Sequence, residues 1–234
     1  MRETAIPRKT YTAHRQNQRH AILEAAEDVF IAKGIDVATI GEIATASGVT
    51  RATIYQYFAN KQEIAWALFE NVVAQWREDA ERDALTANGC GADRIERFLL
   101  SALDFALCDP RQASFLAQFN ILYSKERFSG RMTEVFHEGF GPRENFMIEI
   151  LGHGLADGSL RPDLDIALAL SAILNFSAAI QLRLGLLGTL VEVEYGMSNS
   201  RIFREMIRFY VDGMRVAHAP ASLLQERDAN TTER

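Results

Sequence analysis

The chain has 234 residues, 48% of them hydrophobic, and a formal net charge of −6. That is long and apolar enough for two small domains with real cores. Its two cysteines, Cys90 and Cys108, form neither a disulfide framework nor a zinc spacing, and the N-terminus lacks the apolar stretch of a signal peptide.

The charge is unevenly divided. Residues 1–61 carry eight Lys/Arg against six Asp/Glu, a balance of +2, so the remainder carries −8. Residues 1–15 are expected to be a flexible basic arm in which Arg8, Lys9 and Arg15 are available to phosphates or the minor groove. A solvated tail is the competing reading. Residues 16–61 are expected to be a three-helix, helix-turn-helix DNA-binding domain. After a helix carrying Ile22, Ala25, Ala26 and Phe30, the segment IGEIATASGVTRATIYQYFANK (Ile40 to Lys61) reads as two short helices around a tight turn. Ile40, Ile43 and Ala44 form the apolar stripe of the first, Gly48 breaks it, and Thr50 caps the second. Ile54 and Phe58, one turn apart, face inward. Ala52 and Gln56 then face outward, flanked by Thr53 and Tyr55. Gln56 has the geometry to pair bidentately with adenine, and Ala52 allows close approach to base edges. Arg51 reaches either a guanine or a phosphate. Thr39, Thr50, Thr53, Tyr55 and Tyr57 carry hydroxyls that position without specifying, and Lys61 stands at the next helix start, where an ammonium and free amides converge on one phosphate. The competing reading is that the threonines merely cap and that Tyr55 or Tyr57 packs inward.

Residues 17–64 as a whole closely resemble the DNA-binding domain of the TetR family of bacterial transcriptional regulators. The match runs through the Lys33-Gly34 stop, Thr39, and the closing Ile54-Tyr55-Gln56-Tyr57-Phe58-Ala59-Asn60-Lys61. The resemblance implies phosphate contacts for Thr39, Thr50, Thr53, Tyr55, Tyr57 and Lys61, and base contacts for Arg51, Ala52 and Gln56. It also implies a homodimer on a palindromic double-stranded operator, repression as the default, and release by a small effector. Gly41 departs from the pattern: inside a helix it costs up to about 1 kcal/mol.

Residues 62–218 read as helices without strand alternation, so the fold class is all-α, with a C-terminal ligand-binding and dimerisation bundle. Helices are expected at about 62–85, 93–107, 110–123, 142–156, 164–187 and 199–217. In the first, Ile64, Leu68, Val72 and Trp76 form a stripe that would bridge the domains. The run from Ile166 to Val191 is interrupted by Asn175, Gln181 and Arg183, and reads as a buried or interface helix rather than a membrane span. Aromatic residues are concentrated in mid-chain, which suggests an apolar effector pocket lined by Phe98, Phe105, Phe115, Phe119, Tyr123, Phe146 and Phe176. Gln118, Asn120, Tyr123, His137 or Asn175 would serve as polar anchors. Ordinary core is the alternative. The last two long helices carry more apolar surface than one inward stripe requires, so Phe176, Ile180, Leu184, Ile202, Met206, Phe209 and Tyr210 are expected at a homodimer interface. Residues 219–234 read as a flexible tail.

A nucleophile elbow, a zinc-protease motif and a phosphate loop are all missing from the sequence. Glu134, His137 and Glu138 are the nearest approach to a metal cluster and read as a wet helical face. The expectation is a cytoplasmic, non-enzymatic regulator without cofactor, metal or membrane partner. A helical sensor or interaction module that does not read DNA is the alternative.

Overall fold

The computed structural model describes residues 8–123 and 146–216, with side chains from Arg15 onward. Among these residues the chain forms ten helices: α1 (Arg8–Lys33), α2 (Ile40–Ser47), α3 (Arg51–Tyr55), α4 (Lys61–Thr86), α5 (Gly91–Cys108), α6 (Pro110–Leu122), α7 (Phe146–Ala156), α8 (Ile166–Leu187), α9 (Leu190–Tyr195) and α10 (Asn199–Asp212). The only extended pairing among them is one isolated antiparallel bridge between Leu160 and Arg215. The all-α expectation therefore holds, with shifts at the edges. Helix α1 begins at Arg8, so residues 8–15, expected as a loose arm, continue that helix. Helix α9 was not foreseen, and α10 stops at Asp212 rather than near residue 217. The side chains of Arg8 and Lys9, residues 124–145 and the expected tail lie outside the described residues.

Most helix starts follow from local chemistry. Asp109 accepts from the Gln112 amide at 3.1 Å, with Pro110 in the first helical position of α6. Asp165 accepts from Leu168 at the start of α8 (3.0 Å), and Ser198 from Arg201 at the start of α10. Each side chain satisfies an amide with no intrahelical acceptor, a contribution of about 1 kcal/mol.

Packing divides into two cores that share α4. The first gathers Ile22 and Phe30 of α1, Ile43 of α2, Ile54 and Phe58 beside α3, and Ile64, Trp66 and Phe69 of α4, together with Phe115, Phe119 and Tyr123 from α6. The second gathers Trp76, Ala80 and Ala84 of α4 with Ile95, Phe98 and Leu103 of α5, Met147 and Ile150 of α7, Ile173, Ile180 and Leu184 of α8, and Phe203 and Ile207 of α10. The aromatic residues interlock where α1, α4 and α6 meet. Phe69 stacks on Phe119 with centroids 4.3 Å apart, Trp66 meets Phe119 edge-on at 5.0 Å, and Phe30 lies nearly parallel to Phe115 at 6.3 Å. An ion pair between Arg111 and Asp28 spans the outer edge of the α1–α6 contact. On the opposite side of α6, Gly185 lets α8 come so close that a Cβ there would overlap the Ala113 carbonyl.

Helix α8 is long and apolar enough, by length and composition, to cross a membrane. In this fold it packs instead against α6 and α5.

Phe119 is fully buried and joins the two halves. Phe119→Ala is expected to cost about 3–5 kcal/mol, read as a lowered urea midpoint by far-UV circular dichroism. An unchanged midpoint would show that the interlock does not hold the helices together.

Candidate nucleic-acid interface and a cavity in the helical domain

The helix-turn-helix is built on its two caps and one left-handed residue. Thr39 and Glu42 form a reciprocal capping box: the Glu42 amide donates to Thr39 Oγ1, and the Thr39 amide donates to Glu42 Oε2. Glu42 is also paired with Lys33. Hydrogen bonds from Lys33 and Thr39 hold its carboxyl at about 2, well below the ordinary carboxylate range. Gly48 ends α2 with φ +69°, and its amide donates to the Ala44 and Thr45 carbonyls; a side chain at this angle would be strained. Thr50 opens α3 by accepting from the Thr53 amide at 3.1 Å.

Beneath α3, Ile54 is fully buried and Phe58 nearly so. Arg51, Ala52, Tyr55 and Gln56 are exposed on its other side, with Thr53 half-buried. Ile54 thus takes the inward side of this helix, and Thr50, Arg51, Ala52, Tyr55 and Gln56 are left exposed. Tyr57 is held elsewhere: its hydroxyl donates to Gln18 Oε1 at 2.8 Å, and the Arg15 guanidinium lies 5.6 Å above its ring. Lys61 is also occupied. Its Nζ donates to the carbonyls of Asp36 (2.6 Å) and Ala38 (2.7 Å), stapling the α1–α2 loop. One of the three ammonium protons remains for a phosphate. Sequence reasoning missed this staple and the Gln18 partner because both join residues far apart in the chain.

Gly41, the departure noted in the sequence, has a spatial reason. The Arg51 guanidinium lies across it, and a Cβ there would overlap that group. With Thr39, Glu42, Thr45 and Ala46 these two residues line a shallow surface hollow beside the exposed face of α3.

The helical domain holds a cavity of about 290 Å³ between α4, α6 and α8. Helix α4 contributes Phe69, Val73 and Trp76, one stripe at i, i+4, i+7; α6 contributes Leu116, Ala117 and Asn120. Helix α8 contributes Ser171, Leu174, Asn175, Ser177, Ala178, Gln181 and Leu182. The expected polar anchors Asn120 and Asn175 are present, and Gln118 and Tyr123 are not; His137 lies outside the described residues. None of the seven expected aromatic residues lines it. Phe98, Phe115, Phe119 and Tyr123 are buried in the cores, Phe105 packs against both, Phe146 lies 5.7 Å from Phe98, and Phe176 stacks on Tyr210 at 4.4 Å. Large rings fill space, whereas the void opens where Ala117, Ser171, Ser177 and Ala178 leave it unfilled. The usable signal was the run of small residues at helical spacing on an otherwise apolar helix.

The expected dimer surface is corrected in part. Ile180 and Leu184 are 2% and 4% exposed, committed to the protomer's own core and closed to a partner. Met206 and Phe209 are exposed on α10, and Ile202, Tyr210 and Phe176 are half-buried. Leu168, Leu182 and Leu186 on α8, and Leu190 and Val193 at α9, enlarge this exposed apolar surface. The Glu134, His137 and Glu138 cluster lies outside the described residues.

Against known proteins, residues 22–68 match the family model described as bacterial regulatory proteins, tetR family. The transcriptional repressor BepR of Brucella suis is 32% identical over 121 residues, 50% of this chain and 54% of that protein, so the match spans about half the relative's length. The probable regulator ArpR of Pseudomonas putida is 27% identical over 172 residues, 69% of this chain and 77% of that protein. Among solved structures, the transcriptional regulator FadR of Bacillus subtilis in complex with stearoyl-CoA aligns with a TM-score of 0.62 at 21% identity, covering 84% of this chain and 99% of that one.

The hollow at Gly41 makes a definite prediction. Gly41→Ala should raise stability by about 0.5–1 kcal/mol through helix propensity while driving the Arg51 guanidinium off α2. Urea unfolding measures the first effect and the Arg51 Nε resonance the second; a destabilised protein would refute this account of the glycine.

Proposed function

Starting from a chain that belongs to the TetR family of bacterial regulatory proteins, we propose that it is a cytoplasmic, homodimeric transcriptional repressor that releases its operator when a small molecule fills the cavity. The observation that carries the DNA-binding part is the face of α3. Arg51, Ala52, Tyr55 and Gln56 are exposed together while Ile54 and Phe58 anchor the helix from below. In the major groove, Gln56 and Arg51 are the side chains able to pair with base edges, and Ala52 leaves room for them. Thr39, Thr50 and Thr53, already fixed by their caps, would present hydroxyls to the phosphates, with Tyr55, Tyr57 and the remaining Lys61 proton at the groove walls.

A groove reader of this kind acts in pairs, and the exposed apolar surface of α8 and α10 supports pairing. Phe209 is 65% and Leu168 69% exposed, which is costly in a monomer and useful in a helix-helix interface. The effector part rests on α4. Its first turn holds the α1–α2 loop through Lys61, and its middle lines the cavity through Phe69, Val73 and Trp76. A ligand that shifts α4 therefore moves the α3 frame. A coupling of about 1–3 kcal/mol suffices for regulated release.

The test of the whole reading is selection of bound sites from random DNA, followed by titration at several salt concentrations. A palindromic site with a steep salt dependence is expected; equal affinity for all duplexes would reject it. Gln56→Ala should relax preference at one base pair per half-site, a loss of about 1–3 kcal/mol confined to that position. Uniform weakening would remove its base-reading role. Phe209→Glu should yield monomers by light scattering; an intact dimer would move the interface off α10.

A further inference from the structure

Residues 15–21, two turns of α1, bury no side chain; the buried stripe of the helix starts at Ile22. A helical stretch without an inward stripe needs another hold. Its anchors are polar and sit just past the C-terminal end of α3. The Tyr57 hydroxyl donates to Gln18 Oε1 at 2.8 Å, the Arg15 guanidinium lies 5.6 Å from the centroid of the Tyr57 ring, and that of Arg19 lies 5.3 Å from the centroid of Phe58. Both arginines are exposed, and the exposed Gln56 directly precedes Tyr57 in the chain. The surrounding sequence is basic: residues 4–23 contain four Lys/Arg and no Asp or Glu. In the helical domain arginines are paired with carboxylates, Arg97 with Asp83, Arg204 with Asp104 and Arg215 with Asp93. Arg15 and Arg19 rest on rings instead. A ring engages the flat side of a guanidinium and leaves its in-plane N–H groups open to an anion.

Resting on the reading of α3 as the groove-facing helix, we propose that Arg15 and Arg19 form a phosphate clamp: carried on the rings of Tyr57 and Phe58, they bind backbone phosphates of the duplex beside the groove that α3 enters. The planar fork of a guanidinium pairs with two phosphate oxygens at once. Tyr57 is then a positioning residue. Its single hydroxyl proton goes to Gln18, so its contribution to the interface is the ring that holds Arg15. The helical form of this segment also selects the backbone over the minor groove. Helix α1 runs unbroken from Arg8, and an α-helix with its side chains is about 10–12 Å across, whereas the minor groove is about 6 Å wide. The clamp adds affinity without sequence information.

The experiment uses the full chain and two probes, the site selected from random DNA and a mixed-sequence duplex of equal length, each titrated across a salt series. Arg15→Gln and Arg19→Gln are each expected to weaken binding to both duplexes by the same factor, roughly two- to tenfold, and to flatten the plot of log K against log salt by about 0.9. Their melting temperatures should stay within about 2 °C of the parent. Tyr57→Phe keeps the ring and should leave the salt slope unchanged. In a Tyr57→Leu background the further change Arg15→Gln should cost much less than it does alone, because the platform is already gone. Unchanged slopes in both arginine variants, or a fall in melting temperature without a change of slope, overturn the clamp. Weakening confined to the selected site does so too, since it places the side chains on bases. A slope lost in Tyr57→Phe returns the phosphate contact to the tyrosine hydroxyl and overturns the positioning role. Failure of the groove reading is seen separately. If selection returns no preferred site, that reading falls while the slopes on the mixed-sequence duplex still decide the clamp; if the parent is selective and the arginine variants match it, the reading stands and the clamp falls.

Discussion

The structure depends on the aromatic seam between α1, α4 and α6, where Phe69 stacks on Phe119, Trp66 meets that ring edge-on, and Phe30 lies along Phe115. Ring-on-ring packing of this kind adds roughly 0.5–1.5 kcal/mol per pair beyond area burial. Its position matters more than its strength. Core side chains from α1, α2 and α3 end on the same rings that α6 sends down from the helical domain. The two domains that the sequence divides near residue 61 therefore share a wall. Helix α4 passes through it from the Lys61 staple to the Trp76 side of the cavity, and α6 turns Phe115 and Phe119 to the seam while Leu116, Ala117 and Asn120 line the void.

Among the described residues the packing opens into a cavity between α4, α6 and α8. There small side chains sit where a stability-optimised core would place bulk. Such local departures from good packing are where proteins hold function at the expense of stability. The surface around α3 is organised differently. The threonines, Glu42 and Lys61 are committed to caps and to the α1–α2 loop, so the groups flanking α3 are held in place by the protein's own hydrogen bonds. Preorganisation of this kind lowers the entropy lost on association.

Helix α8 carries apolar residues on two sides. One stripe, with Ile173, Ile180 and Leu184, belongs to the core, and Gly185 brings the helix tightly against α6; another leaves Leu168, Leu182 and Leu186 in solvent. An amphipathic helix in a monomer would carry polar residues there. The high hydropathy that makes this helix pass for a membrane span follows from having apolar surface on both sides. Most of the negative charge of the chain lies beyond residue 61, where the balance is −8 against +2 for residues 1–61.

The helix-turn-helix was legible in the sequence because its determinants are local. Thr39 and Glu42 find each other across three residues, Gly48 takes its own backbone angle, and Ile54 and Phe58 fall on one side of a helix whatever lies beyond. The exposed face of α3 follows by geometry from that inward pair. Helix order and class were legible for the same reason, since periodicity and caps act within a turn. The cavity was not, because a void is defined by what three distant helices fail to fill. Counting aromatic residues pointed to the seam, where those rings exclude space, and away from Ala117, Ser177 and Ala178, where space is left. The occupation of Lys61, the overlap of Arg51 with Gly41 and the burial of Ile180 and Leu184 were decided in the same way. Each depends on which residue remote in the chain arrives alongside, and only the packed tertiary structure determines that.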